Sequence, residues 1–394
     1  MLHTSLFRAA VLLPLLTALA LLAGAPAHAA ASADTPAETA VAYLQARAAQ
    51  ALANTPASAL TGLLTPGSPI AERELLLAKG MRASHAKLGH TITDNSCQVT
   101  VLNTSLNSSG TQATVTARAT TTLTWTNAQG RRDTEGTALD HTLTLTYVDG
   151  HWLVQSDTYV DDLAPGYLEA AGASPSQVAA AAAQLERVCS VTATPRLATQ
   201  TSTAAAVVPR PHKAKRLVLQ ASGSRLGYRD VLYFDRDAAK AYADKYALSY
   251  NPTYVAFSAD CANFGSQTMF AGGFPKVGGT YSTGWWYDKG DTSSPSNDTW
   301  SLSWINCVAQ TGFWSGRYVD FQSSISNVGK GDFIYYDWTG DGVWDHVAEL
   351  VGTNASGQKV IDAHTTDHYH VYWKLGSSST RYGFARTRPS VYVY

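Results

Sequence analysis

The sequence predicts an α+β protein: helical segments come first, antiparallel strands follow, and a second helix-then-strand segment closes the chain. Three observations carry this reading. Thr35, Pro36 and Glu38 form a capping-box start, followed by good helix formers to position 52. Four stretches, 97–106, 112–127, 137–149 and 152–159, alternate apolar residues with Thr or other polar residues, as strands with one wet face do. Beyond position 224 aromatic residues become dense, and a helical pattern at 237–250 gives way to further strand patterns.

Composition narrows the class. The 394 residues are 45% hydrophobic and 15% charged, with 29 Lys+Arg against 30 Asp+Glu and a net charge of -1. That content supports packed cores and excludes wholesale disorder. A near-neutral balance also excludes a protein that grips nucleic acid through a strongly basic face. At the N-terminus Arg8 precedes an apolar run from Ala9 to Gly24, and Ala27-His28-Ala29 follows as a small-x-small cleavage site. The run is shorter than the ~20 residues that span a bilayer. Residues 1–29 therefore read as a signal peptide, and the mature chain is expected to be secreted, monomeric and without an integral membrane segment.

Each later element follows from its local pattern. A helix is expected at 70–81, and Asp149-Gly150 between the last two strands is a hairpin turn signal. The order of helices and meander in 35–190 resembles nuclear-transport-factor-like or cystatin-like cone folds, which implies an accessory domain. Its histidines, His85, His90, His141 and His151, are scattered and read as structural. An Ala-rich helix at 177–189 ends this unit. Residues 191–223 lose periodicity, are rich in Thr, Ala and Pro, and carry Arg210, Lys213, Lys215 and Arg216, as a solvated linker does. The second domain is then 224–394.

The chemistry is expected in that second domain. In the helix at 237–250, Ala239, Tyr242, Ala243 and Tyr246 share one face, and Asn251-Pro252 stops it. Ser258 or Asp260 can cap the next helix, which ends at Gly272-Gly273, so Cys261 lies in its first turn. The positive helix end favours thiolate over thiol, and free backbone N–H groups there can receive an oxyanion. A base must follow. His346 sits early on the second strand of a hairpin built from 333–336 and 343–351, sharing a face with Ala348 and Leu350. On the next strand Asp362 and His364 share a face, and either could orient His346. Asp260, Asn263, Trp285 and Trp286 are the expected substrate-binding residues. With Cys261 as nucleophile, Cys189 becomes the expected disulfide partner of Cys97 on the same side of the linker.

Asp260-Cys261-Ala262-Asn263-Phe264-Gly265-Ser266-Gln267, with Tyr233 to Ala239, Ala271-Gly272-Gly273, Gly331-Asp332, Asp337 to His346 and Ala363-His364-Thr365, resembles the Putative amidase domain family of secreted bacterial proteins. That family is similar to papain-like cell-wall hydrolases of the NlpC and CHAP types. The resemblance covers roughly Tyr228 to Arg386. It implies a helix packed on an antiparallel sheet and a cofactor-free cysteine amidase or peptidase acting on an amide, in peptidoglycan or a peptide. Cys261 becomes nucleophile and His346 base, and the third position falls on Asp362 in the NlpC-like register or His364 in the amidase-like register.

Three other readings compete. Asp337-x-Thr339-x-Asp341-Gly342-x-x-Asp345 is similar to the first half of a calcium loop but has Ala348 where the closing Glu belongs, so a tight hairpin turn is favoured. His364, Asp367, His368 and His370 could hold zinc for a metal hydrolase. Trp285, Trp286, Trp300 and Trp304 could form a glycan platform on a wall-binding module without activity.

Overall fold

The computed structural model describes residues 35–190, 195, 215–218, 228–289 and 297–393; the leader read at 1–29 and most of the linker read at 191–223 lie outside the described residues. In chain order the first part runs α1 (Pro36–Ala49), α2 (Ser58–Thr61), α3 (Ile70–Lys87), β1 (His90–Leu106), β2 (Gln112–Asn127), β3 (Arg132–Val148), β4 (His151–Thr158), α4 (Ala164–Ala171) and α5 (Pro175–Ser190). The second part runs β5 (Lys215–Val218), β6 (Tyr228–Tyr233), α6 (Arg236–Tyr246), α7 (Cys261–Ala271), β7 (Tyr287–Asp288), β8 (Thr299–Trp300), α8 (Leu302–Ile305), α9 (Cys307–Trp314) and β9 (Val319–Gln322). It closes with β10 (Asp332–Asp337), β11 (His346–Thr353), β12 (Lys359–Ala363), β13 (Asp367–Tyr372), β14 (Arg381–Thr387) and β15 (Ser390–Val393).

Local chemistry starts and stops these elements. The capping box forms: Thr35 Oγ1 accepts from the Glu38 N–H, and the Thr35 N–H donates to the Glu38 carboxylate at 3.0 Å. Asp149 (φ 49°) and Gly150 (φ 90°) make the tight β3–β4 turn. The sequence pattern starts the first strand at 97, but β1 begins at His90, because Thr, Asp and Asn on its wet face hide the alternation. β1, β2 and β3 wrap α1, burying Tyr43 and Leu44 against Val115, Ala117, Leu143 and Leu145. The thiol of Cys97 lies half-buried against this core, its Sγ facing the Leu44 carbonyl, and it is not bridged. The side chain of Cys189 lies outside the described residues.

The boundary expected between two domains is crossed by the sheet itself. β3 is 17 residues long. Its second half pairs with β4, while Gly136, Thr137 and Ala138 near its start pair with Tyr369, His368 and Asp367 of β13. One ten-stranded sheet results, ordered β1-β2-β3-β13-β12-β11-β10-β14-β9, with β4 branching from β3. Residues Ala33–Tyr394 accordingly form one compact unit. A Cβ on Gly166 of α4 would lie 2.5 Å from the Gly376 carbonyl oxygen, so only glycine permits the two parts to approach this closely.

The two faces of the C-terminal sheet are covered differently. α6 and α7 lie on one face, where Val347 packs with Cys261 and Ala262, and Val351 with Tyr242 and Phe264. The other face, carrying Ala348, Leu350, Ile361 and Ala363, packs with Leu185 of α5. Among the described residues no helix is long and apolar enough to cross a membrane.

The joint is also electrostatic. Arg118 of β2 pairs with the buried carboxylate of Asp367 on β13 and, at 2.9 Å, with Asp140. Tyr250 donates to the other Asp367 oxygen at 3.1 Å. Arg118→Met leaves Asp367 buried without its cation, which costs about 3 kcal/mol. Urea denaturation should show this loss as a lower midpoint of a single shared transition; two separated transitions in the wild-type protein would contradict one cooperative unit.

Candidate active site

The site is assembled at the start of α7. Asp260 precedes the helix but makes no side-chain cap. Its Oδ1 instead accepts from the Phe257 N–H at 2.8 Å and from Asn263 Nδ2 at 2.9 Å, and its Oδ2 faces His364 Nδ1 at 2.7 Å. His364 Nε2 lies 2.8 Å from the Tyr246 carbonyl, which only accepts, so this nitrogen carries a proton. Burial alone would lower the His364 pKa, yet Asp367 and Asp260 outweigh it and raise it. Asp260 and His364 thus form a buried hydrogen-bonded pair tying the helix start to the residue after β12.

Thr365 completes the seat. Its Oγ1 accepts from the Asp260 N–H at 2.9 Å and from the Cys261 N–H at 3.1 Å. Thr365 has φ 89°, a conformation that costs a β-branched residue about 1–3 kcal/mol. Of the backbone N–H groups expected to receive an oxyanion at this helix end, that of Cys261 is therefore already engaged. Both lone pairs of the hydroxyl are used, so its own hydrogen is left to donate.

Cys261 is the first residue of α7 and is 3% exposed. The first residue of α9 is also a cysteine, Cys307, and the two sulfurs lie 3.5 Å apart. Gln310 braces the helices, donating to the Ala262 carbonyl and to Ser266 Oγ, both at 2.8 Å. Two positive helix ends therefore converge on one pair of sulfurs. The Cys261 pKa falls well below the ordinary thiol range: the hydrogen bond from Cys307 contributes most, burial opposes it, and a hydrogen bond and the charge of His346 and the Val347 N–H add to the lowering. Sequence reasoning missed Cys307, although Asn306-Cys307 repeats the cap-then-cysteine pattern of Asp260-Cys261.

His346, the first residue of β11, is 1% exposed and lies against the rings of Tyr336 and Trp338, each with its centroid 5.5 Å away. Its Nε2 is buried without a hydrogen-bond partner, and the ring acts on Cys261 through a hydrogen bond and its charge. Neither expected orienting residue reaches it. Glu349 of β11 stands opposite Asp362 of β12, and Leu350 opposite Ile361, so Asp362 lies on the α6 face of the sheet and His346 on the other. His364 is turned to that same helix face, stacked on Phe264 at 4.0 Å and bonded to Asp260.

Asp362 belongs to a different cluster. Its Oδ1 accepts from the His370 N–H at 2.7 Å, its Oδ2 has no partner, and burial pushes its pKa up to about 7. Among the described residues, Asp244, Asp362 and His370 are the one set whose donor atoms could converge on a metal ion, but Asp244 already pairs with Lys240 and with His370. The expected zinc set disperses: His364 meets Asp260, His368 meets Asp162, His370 meets Asp244 and Asp367 meets Arg118. In the hairpin turn, Asp337 accepts backbone N–H groups from Gly340, Asp341 and Gly342, which fits a tight turn.

Three of the four expected substrate-binding residues are internal. Asp260 is engaged as above. Asn263 donates to the Val255 carbonyl and accepts from Trp304 Nε1, each at 2.9 Å. Trp285 is fully buried, stacked on Trp304, with its Nε1 donating to Ser266. Only Trp286 is partly exposed, its Nε1 donating to the Thr280 carbonyl at 3.1 Å. With Trp285 and Trp304 in the core, the tryptophans form no open glycan platform.

The sequence model of the family described as Putative amidase domain matches residues 233–386. That segment contains Cys261, Cys307, His346 and Thr365. Over 175 residues the chain is 30% identical to the "Uncharacterized protein YhbB" of Bacillus subtilis (strain 168), covering 42% of this chain and 54% of that protein. The chain thus spans about half the length of this curated relative. Among solved structures, the intermembrane space region of the chloroplast protein ARC6 is 16% identical, with a TM-score of 0.24 over 31% of this chain and 92% of that one.

Cys307→Ala should raise the Cys261 pKa toward the ordinary thiol value of about 8.5. The wild-type protein should then keep its thiolate to lower pH than the variant, whose thiol ionises only as the pH rises further. Thiolate ultraviolet absorbance, with the curve of the matching Cys261→Ala protein subtracted, reads this directly; an unmoved midpoint would leave the lowering to His346 and the backbone.

Proposed function

We propose that this chain is a cysteine-dependent amidohydrolase in which Cys261 is the nucleophile and His346 the general base and acid. The observation that carries the reading is the Cys261 sulfur, held at a helix start against His346 and Cys307 with its pKa drawn down. The match to the amidase family over the same residues supports an amide substrate.

His346 Nδ1 takes the thiol proton and the sulfur attacks the amide carbonyl carbon. The carbonyl oxygen becomes an oxyanion, met by the Thr365 hydroxyl and the positive end of α7. His346 then returns the proton to the leaving nitrogen, and the amine departs as the C–N bond breaks. Water, deprotonated by His346, cleaves the thioester and releases the acid. No cofactor is needed for these steps. The leader-like N-terminus and the resemblance to papain-like wall hydrolases favour secretion and a peptidoglycan amide as substrate.

Digestion of purified peptidoglycan, followed by mass spectrometry of the released fragments and assay of new amino groups, tests this reading. Wild-type protein should release fragments, and Cys261→Ala should lose on the order of 10⁴-fold in rate. Chelator should leave the wild-type rate unchanged. Full activity in Cys261→Ala would sink the cysteine mechanism, and release that stops with chelator would favour a metal-bound water.

A further inference from the structure

We propose that Asp162, on the segment between β4 and α4, is the positioning residue for His346, so that the N-terminal part of the chain completes the catalytic apparatus of the C-terminal part. This rests on the assignment of Cys261 and His346 above. His346 Nε2 has no hydrogen-bond partner, and Asp162 Oδ2 lies 3.9 Å from it. Asp162 itself is 2% exposed. A buried carboxylate held beside a buried, unpartnered ring nitrogen is the arrangement that fixes a catalytic imidazole.

Asp162 is firmly placed. Its other oxygen meets His368 Nε2, and its backbone carbonyl accepts from the Gly376 N–H at 3.1 Å. Sheet geometry makes the approach possible. His368 pairs with Ala363, whose side chain lies on the Ala348 and Leu350 face, the face His346 shares. Asp362 and His364 look the other way. The ionisable groups around Asp162, besides His346, are Asp161 beside it, His368 on β13, Tyr167 on α4 and Tyr336 on β10.

The role follows from charge and tautomer. The carboxylate favours a proton on Nε2, which leaves Nδ1 bare to take the proton from the Cys261 thiol. When that proton moves, the ring becomes imidazolium and Asp162 balances its charge without taking a proton. A 3.9 Å separation is an ion-pair distance, across which the buried carboxylate acts on the ring through its charge.

The full-length protein labelled with ¹⁵N-histidine tests this first. The His346 signal, assigned by its loss in His346→Phe, should show Nε2 protonated at neutral pH; a bare Nε2 overturns the proposal even if no Asp162 variant folds. Asp162→Asn should then lower kcat by about 10²–10⁴-fold with KM little changed, and raise the Cys261 thiolate midpoint by at least about one pH unit. Asp162→Glu should recover part of both. A folded Asp162→Asn, checked by thermal unfolding, that titrates and turns over like wild type refutes the role of Asp162 alone. An active Cys261→Ala instead refutes the cysteine reading on which it stands.

Discussion

Three residues of β3 against three of β13 make the short ladder on which the plan of the sheet depends. Without it, β3 would end at β4 and the C-terminal strands would form a separate sheet with β13 as an open edge. With it, the N-terminal part is fixed over the face of the C-terminal sheet that α6 and α7 leave bare. Arg118, reaching from β2 to the buried Asp367, ties the register of this ladder to a charge pair. Leu185 of α5 and the Asp162 segment are carried onto that face as a consequence.

The electrostatics of the site depend on the same economy of elements. Two helices begin at cysteines, and their starts are braced together by Gln310, so both helix ends and one thiol act on the Cys261 sulfur. Asp260 does not cap its own helix. Its carboxylate is given to Phe257, Asn263 and His364, and the task of receiving the first N–H groups passes to Thr365 in a strained conformation. The helix start is thereby rigid on its structural side and retains a polarised hydroxyl on its chemical side.

Much of this was legible in the sequence because it is local. Thr35 and Glu38 announce a capping box, and Asp149-Gly150 announces a turn, since those signals depend on neighbours within four residues. Cys261 at a helix start and His346 on a strand are local in the same sense. The cross-strand register was not within reach: continued from Thr353 opposite Lys359, an unbroken hairpin would set Asp362 opposite Leu350, on the face His346 shares, and only the bulge between Leu350 and Gly352 moves it opposite Glu349. Asp162 was not legible. It lies far from His346 in sequence, in a segment with no motif, and only the β3–β13 ladder brings the two together. Trp285 and Asn263 misled for the opposite reason: aromatic and amide side chains suit a binding cleft and a hydrogen-bonded core equally well, and burial decides between them.

Why the base should be the first residue of β11 then has a physical answer. In a sheet interior, a side chain belongs to one face and the backbone ladder bars it from the other. The proposed nucleophile comes from a helix on one face, and the carboxylate beside the proposed base comes from the segment covering the other. Only at a strand end, where the ladder stops, can one imidazole act on the sulfur and also lie beside Asp162. Moved two residues along β11, the same histidine would replace Ala348 inside the apolar layer of Ile334, Ile361 and Leu185, out of reach of Cys261. The position of His346 is thus dictated by a sheet whose two faces supply different parts of one site.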